Sequence, residues 1–443
     1  ANALKECGQI EEAIKHYRRA AELSKEARVA GNVLYTLHFH PDYDRRRLAD
    51  EHEAWRQTYA QSLENQPMRH GNDRSPDRRL RVGYVSPDFR EHPVGRFMQT
   101  LLAHHRHDQF EIFCYADYPK ADAITSRLRS SADHWRETYQ LSDAELAKQI
   151  NEDRIDILVD LAMHTANNRL LTFARKPAPV QMSYLAYCST TGLKAIDWRL
   201  SDPHLDPPGT EHFYRENTLR LPRSYWCYEP PADAPSVSSS PSVRNGFVTF
   251  GSLNNFAKIS QPAIDTWISI LQRVPDSRLI LHAHEGSHRQ RLRDLLSSQS
   301  IDPNRLELVG FYSMTDYLSQ YSRIDVALDP FPYGGGHTTF DALWMGVPVV
   351  ALAGRTGVGR GGVSILSNLG KPQWIAVSTA SYIDIATSLA RDINARTTIR
   401  NQLRGWMTRS PLMGAASHAG DIESTYRFAW RAWCDARQTQ QPT

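Results

Sequence analysis

Residues 329–348 read DPFPYGGGHTTFDALWMGVP. The run before them, Ile324 to Leu328, is a buried strand by composition, and the stretch after the glycines predicts a helix opening at His337, Thr338 and Thr339. Three consecutive glycines, Gly334, Gly335 and Gly336, let the backbone turn tightly and approach a ligand closely. A helix start behind them offers N–H groups without intrahelical partners and the positive end of a dipole, which together favour an anion such as phosphate. The two threonine hydroxyls add donors. Asp341 lies one helical turn further in, where a carboxylate could accept hydrogen bonds from a ribose. The stretch therefore predicts a nucleotide diphosphate site with a sugar-reading acid beside it. The glycines alone would equally suit an ordinary strand–turn–helix connection.

Working outward, strands and helical patterns alternate on both sides. Phe247 to Ser252, Leu279 to His282, Leu306 to Val309 and Val347 to Leu352 join Ile324 to Leu328 as strands of one unit. Upstream, Leu80 to Ser86, Phe110 to Tyr115, Ile155 to Ala162 and Val180 to Tyr187 form a second set. The run IDILVDLA at 155–162 is nearly all apolar, as in a strand buried on both faces. Amphipathic segments fall between them, for example Gly95 to His105 and Asp143 to Glu152. This alternation predicts an α/β class with two Rossmann-like domains facing a cleft, ligands sitting beyond the carboxyl ends of the strands. Two stretches without periodicity, 64–79 and 229–246, read as linkers. The expected domains are a helical segment over 1–63, a first lobe over 80–228, a second lobe over 247–415 and a C-terminal helix over 416–443. That helix carries Tyr426, Trp430 and Trp433 at helical spacing and is expected to pack back on the first lobe.

Three further clusters fall at predicted strand ends. In SPDFREHPVG (86–95), Asp88 and His92 flank a loop, and His92 precedes Pro93 at a helix start. A histidine there can serve as base or hydrogen-bond donor near neutral pH. In FGSLNNFAKIS (250–260), Asn254 and Asn255 offer amides, and Lys258 offers a point charge for phosphate. In MHTANNRL (163–170) and PAPVQ (177–181), His164 and Gln181 are expected near the first lobe's cleft.

The N-terminal ANALKECGQIEEAIKHYRRAAEL places Gly8, Ala13, Tyr17, Ala20 and Leu23 at the spacing of half a tetratricopeptide repeat, whose period is about 34 residues. Such a half repeat cannot bury its own apolar face, so earlier repeats are expected upstream. Lys plus Arg is 52 and Asp plus Glu is 49, a balance that implies no general nucleic-acid or membrane field. Cys7, Cys114, Cys188, Cys227 and Cys434 are scattered without a CxxC pair, which argues against a zinc site or disulfide framework and for a reducing, cytoplasmic setting. Hydrophobic residues at 41% and charged residues at 23% suit an ordinary soluble enzyme.

With those motifs in hand, RVGYVSPDFREHP (81–93), DILVDLAMHTANN (156–168), RKPAPVQ (175–181), FGSLNNFAKI (250–259) and PYGGGHTTFDALWMGVP (332–348), the chain resembles the protein O-linked N-acetylglucosamine transferases and the SPINDLY-type transferases. The resemblance runs from residue 1 to about 436. It implies a GT-B arrangement and an inverting, metal-independent transfer of N-acetylglucosamine from UDP-N-acetylglucosamine to Ser/Thr hydroxyls of an acceptor protein. No cofactor, metal, nucleic acid or membrane is implied, and the helical repeat would help present the acceptor. Carried over by position, the resemblance makes Lys258 the diphosphate contact and His92 a base or active-site contact. Donor binding would fall to Asn254, Asn255, Gly335, Gly336, His337, Thr338, Thr339 and Asp341, the last one residue closer than in animal members. Met314 and Tyr317 stand where the family's uracil-side lysine and histidine are expected, so Tyr317 is placed at the donor's base and GDP-fucose is the alternative donor. Asp88, Pro93, His164 and Gln181 are the expected first-lobe contacts. A non-catalytic repeat scaffold and a sugar-nucleotide epimerase are the other readings.

Overall fold

The computed structural model describes residues 1–310 and 312–436, which form two compact units. One unit contains Arg45–Glu229 with Ala20–Tyr35 and the chain from Gly414 onward. Its sheet is made of β1 (Leu80–Ser86), β2 (Phe110–Ala116), β3 (His134–Glu137), β4 (Ile157–Asp160), β5 (Val180–Ser183), β6 (Trp198–Ser201) and β7 (Asn217–Arg220). All pairings are parallel and the order is β3-β2-β1-β4-β5-β6-β7. Central strands β1 and β4 are buried almost throughout, which is why they read as apolar runs.

The other unit contains Pro230–Met413 with Ala1–Arg19 and Thr36–Asp44. Its strands are β8 (Thr249–Ser252), β9 (Arg278–His282), β10 (Leu306–Val309), β11 (Val326–Leu328), β12 (Val349–Leu352) and β13 (Ile375–Ala376), in the parallel order β10-β9-β8-β11-β12-β13. Phe250, Trp267, Leu279, Leu281, Val326, Leu328, Phe331, Val350 and Tyr382 form its core. Each such side chain, once buried, stabilises by roughly 1.5–3 kcal/mol. A Cβ on Gly251 would lie within 3.0 Å of the Ile324 side chain, so glycine in β8 leaves room for that side chain. The expected α/β class with two parallel, helix-covered sheets is thus what the chain adopts.

In each sheet the strand order reverses once, between β1 and β4 and between β8 and β11. Loops leaving the two strands at such a reversal diverge and leave a crevice beyond their carboxyl ends. The predicted clusters 86–95 and 163–170 follow β1 and β4; 250–260 and 329–341 follow β8 and β11.

Four strands escape the sequence reading: β3, β6, β7 and β13. They are only two to four residues long and include HWRE and NTLR, whose polar composition suits a sheet margin but carries no apolar run. Both expected linkers are tied down. In 64–79, Met68 N–H donates to Arg175 O at 3.0 Å, Asn72 Nδ2 to Asp156 Oδ1 at 2.7 Å, and Arg78 NH1 to Asp156 Oδ2 at 2.7 Å. In 229–246, Ser240 Oγ donates to Asp325, and Arg400 Nε donates to Ser238 O at 2.7 Å. Backbone polar groups secured this way leave no periodic signal, which is why both stretches read as tethers.

Residues expected as one helical segment over 1–63 form helices at Asn2–Glu6, Ile10–Ser24, Ala27–Leu37 and Arg45–Tyr59, shared between the two units. The long last helix, Ala415–Asp435, belongs with the β1–β7 sheet. Its Tyr426 hydroxyl lies 3.0 Å from that of Tyr84, Glu423 Oε1 accepts from Arg106 N–H at 2.8 Å, and the Arg74 guanidinium covers Trp433. The aromatic stripe is packing. Residues 437–443 of the expected C-terminal segment lie outside the described residues. Among the described residues no helix is long and apolar enough to cross a membrane, and no group of three or more His, Cys, Asp and Glu is placed to hold a metal.

Candidate active site

β11 runs into Asp329, the glycine loop, and a helix over His337–Trp344 whose N-cap is Gly336. The Asp329 carboxylate is buried under that loop. Its Oδ1 accepts from Gly335 N–H at 2.9 Å and from Thr339 Oγ1 at 3.2 Å. Burial pushes this carboxyl up to about 6, against the pull of the Gly335 N–H, the Lys258 charge and the Thr339 hydroxyl. A second glycine-rich loop, 354–362, packs alongside: Gly334 N–H donates to Val358 O at 3.1 Å. A Cβ on Gly359 would meet Pro332 O within 3.0 Å. The two loops approach backbone to backbone, which only glycine permits.

Lys258 ends a 3-10 turn, Phe256–Lys258, that follows β8. Its Nζ donates to Gly334 O at 2.9 Å and sits 4.2 Å from the centre of the Tyr333 ring, on which Phe39 stacks at 5.0 Å. Asn254 is buried beside it, and Thr338 Oγ1 donates to Asn254 Oδ1 at 2.6 Å. The loops of β8 and β11 thus bring Lys258, Asn254, the glycines and the helix start together. His337 and Thr338 occupy the first helical positions and are half-buried. Asp341 is buried one turn in, where it accepts from Tyr317 Oη at 3.2 Å; Tyr317 in turn lies 2.9 Å from the Tyr321 hydroxyl. Tyr317 sits on the helix Met314–Gln320 that also begins with Met314.

Two expected donor contacts turn out to be engaged internally. Thr339 is buried and faces Asp329 rather than the loop's open side. Asn255 is exposed, but its Oδ1 caps the Lys258 turn at Ala257 N–H (2.8 Å) and its Nδ2 reaches Glu6 (3.2 Å), so it shapes the turn. Sequence spacing identifies the loop but not which way each short side chain rotates.

In the β1–β7 unit, Asp88 and His92 meet at the end of β1, with Asp88 Oδ2 3.6 Å from His92 Nδ1 and Pro93 opening the helix. Val94 N–H donates to His92 Nδ1 at 3.3 Å, and burial lowers the ring's pKa. The neutral ring therefore carries its proton on Nε2 and presents a donor there. His164 and Gln181, expected near this lobe's cleft, are both buried. His164 is 1% exposed, its Nε2 on Thr191 O at 2.8 Å and its ring against Trp55 at 4.6 Å. Gln181 donates to Phe173 O and Ala195 O at 2.9 and 2.8 Å. Polar residues near a strand end read as site residues, but here they satisfy buried carbonyls.

Sequence reasoning missed Asp329, Tyr333 and the 354–362 loop. The signal for the loop was present in GRTGVGRGG, five glycines directly after a predicted strand.

A parallel sheet of order β10-β9-β8-β11-β12-β13, with a lysine and a glycine loop at its reversal, defines a doubly wound α/β protein. The model of glycosyl transferase family 41 matches residues 30–230 and 238–422, and the chain belongs to that family. It is 37% identical over 423 residues to the probable UDP-N-acetylglucosamine--peptide N-acetylglucosaminyltransferase SPINDLY of Petunia hybrida, covering 94% of this chain and 45% of that protein. The Oryza sativa subsp. japonica protein of the same name is 37% identical over 431 residues, covering 95% of this chain and 46% of its own length. The chain thus spans about half the length of these curated relatives. A solved mutant of Thermobaculum terrenum O-GlcNAc transferase aligns with 98% of this chain and 84% of its own, at 38% identity and a TM-score of 0.94.

Proposed function

We propose that the chain transfers N-acetylglucosamine from UDP-N-acetylglucosamine to serine and threonine hydroxyls of proteins, with inversion and without a metal. The observation that carries this is Lys258, held by Gly334 O and the Tyr333 ring beside the start of the helix His337–Trp344. The acceptor oxygen attacks the anomeric carbon while the bond from that carbon to the diphosphate oxygen breaks, and the hydroxyl proton passes to a phosphate oxygen of the leaving diphosphate. Negative charge grows on the leaving diphosphate. The Lys258 ammonium and the N–H groups at the helix start stabilise it there, where they are already in place before the bond breaks. Asp341 and Tyr317, joined by their hydrogen bond, act together on the nucleoside side. The helical N-terminal segment contributes to acceptor binding.

His92 acts as a donor from Nε2 in this reading, because Val94 N–H occupies Nδ1. His92→Ala is expected to lower kcat by less than the roughly 10²-fold that loss of a general base costs. A larger loss, together with disappearance of the acid limb of the kcat profile, would make it the base.

A second reading, GDP-fucose as donor, is favoured by one observation: Met314 and Tyr317 occupy the positions where uracil-side residues were expected. Calorimetric binding of UDP, GDP and UDP-N-acetylglucosamine separates the two. Tighter UDP than GDP binding is expected. Preferential GDP binding moves the donor to GDP-fucose, and binding of neither nucleotide refutes both.

A further inference from the structure

We propose that Asp329 positions the glycine loop for the donor diphosphate and takes up a proton as that donor binds. This rests on the donor reading above. Asp329 is 4% exposed, yet its carboxylate is the acceptor for two groups of the candidate phosphate site, Gly335 N–H and the Thr339 hydroxyl. It therefore stands as an internal anion beneath the place where the diphosphate would sit. Three oxygens, Thr339 Oγ1, Asp329 Oδ1 and Thr338 Oγ1, crowd within 3.0 Å of where a Gly335 Cβ would be, so the loop is held against the carboxylate without slack.

The groups that face Asp329 can be named element by element. From the turn after β8 comes the Lys258 ammonium, and from the loop and its helix the Gly335 N–H and Thr339 hydroxyl. Tyr382, on the helix Thr379–Arg391, donates to the Asp329 backbone carbonyl at 3.0 Å. Tyr321, on the 3-10 turn Tyr321–Arg323, is close enough to feel the carboxylate's charge. On the side of the helix Gly361–Asn368, the absence of a side chain at Gly362 leaves room for Oδ2.

A diphosphate at the helix start changes this balance in two ways of the same sign. It brings negative charge close to a buried carboxylate, and it draws the Lys258 ammonium from the loop toward the phosphates. Both favour the protonated acid. With its carboxyl pushed up to about 6 by burial, Asp329 is mostly ionised at neutral pH before binding and, in this proposal, partly protonated after. By linkage, affinity is greatest below that range and falls as pH rises through the interval between the free and bound values. For a displacement of one unit the donor binds about tenfold more weakly at high pH, and about 0.4 of a proton is taken up at pH 7.

The test is calorimetric titration with UDP-N-acetylglucosamine, whose diphosphate has no proton to exchange near neutrality. Titrations at pH 7 in buffers of different ionisation enthalpy count the protons, and a series from pH 6 to pH 9 gives the affinity profile. Proton uptake in the wild type is expected, vanishing at the alkaline end. Asp329→Asn keeps an acceptor for Gly335 N–H and is expected to bind with a flat pH profile and no uptake. Its thermal stability at pH 8 is expected to be no lower than wild type, since it carries no buried charge. Donor binding without uptake in the wild type overturns the proposal and leaves the donor reading standing. Equal uptake in Asp329→Asn also overturns it, by assigning the proton to another group. Absence of donor binding at every pH refutes the donor reading itself.

Discussion

Lys258→Ala lowers kcat/KM by about 10³-fold, the scale on which removal of one placed transition-state donor acts, while thermal stability barely changes. The asymmetry follows from where Lys258 sits. It is partly exposed, with a part-buried hydrogen bond to Gly334 O and a place over the half-buried Tyr333 ring. A cation–π contact at such a site contributes about 0.5–1 kcal/mol, too little to threaten the fold. The donor's diphosphate, by contrast, gains a further negative charge only as the bond breaks, so kcat should fall more than UDP-N-acetylglucosamine binding weakens. Steady-state kinetics with a peptide acceptor, paired with melting curves, measure both. An equal loss in binding and turnover would mean that Lys258 only holds the ground state. Wild-type turnover would remove it from the mechanism.

Gly335→Ala abolishes most donor binding and also costs stability. The added Cβ would come within 3.0 Å of Thr339 Oγ1, Asp329 Oδ1 and Thr338 Oγ1 at once. Thr339 and Asp329 are buried, so neither can rotate away into solvent. Forcing a methyl into a packed site of this kind costs about 1–3 kcal/mol, and the loop relieves it only by moving off Asp329. The helix start moves with it, and so do the N–H groups of the proposed phosphate site. Gly336 is the comparison: a Cβ there meets nothing within 4 Å, so Gly336→Ala should cost less stability. Melting curves and UDP-N-acetylglucosamine titrations of both variants check this. Equal stability losses in the two would show that backbone conformation, not crowding around Asp329, decides the outcome.

How far the sequence reached depended on the kind of signal each residue leaves. Central strands such as β1, β4 and β11 were legible because burial on both faces demands apolar runs. The glycine loop was legible because three consecutive glycines between an apolar run and a helix form a distinctive pattern. Short margin strands such as β3 and β7 were not, since partly exposed polar residues serve them as well as they serve loops. At the site, the residue types in FGSLNNFAKI and PYGGGHTT picked out Lys258 and the glycines without any coordinates. Asp329 was passed over because a single acid after a strand has no distinctive spacing; its role appears only when Gly335 N–H and Thr339 fold back onto it.

The sequence by itself determined the α/β alternation and, through its motifs, the family, and it picked out the segments of the candidate site, because periodicity and motif placement are local constraints written residue by residue. Tertiary structure alone decided what each polar side chain does there. Asn254 and Thr338 pair with each other, Thr339 serves Asp329, and His164 and Gln181 serve buried carbonyls. The physical reason is that a hydrogen bond depends on distances of a few ångströms between segments remote in the chain. No local pattern encodes that, whereas the cost of leaving a buried polar group unsatisfied enforces it in the fold.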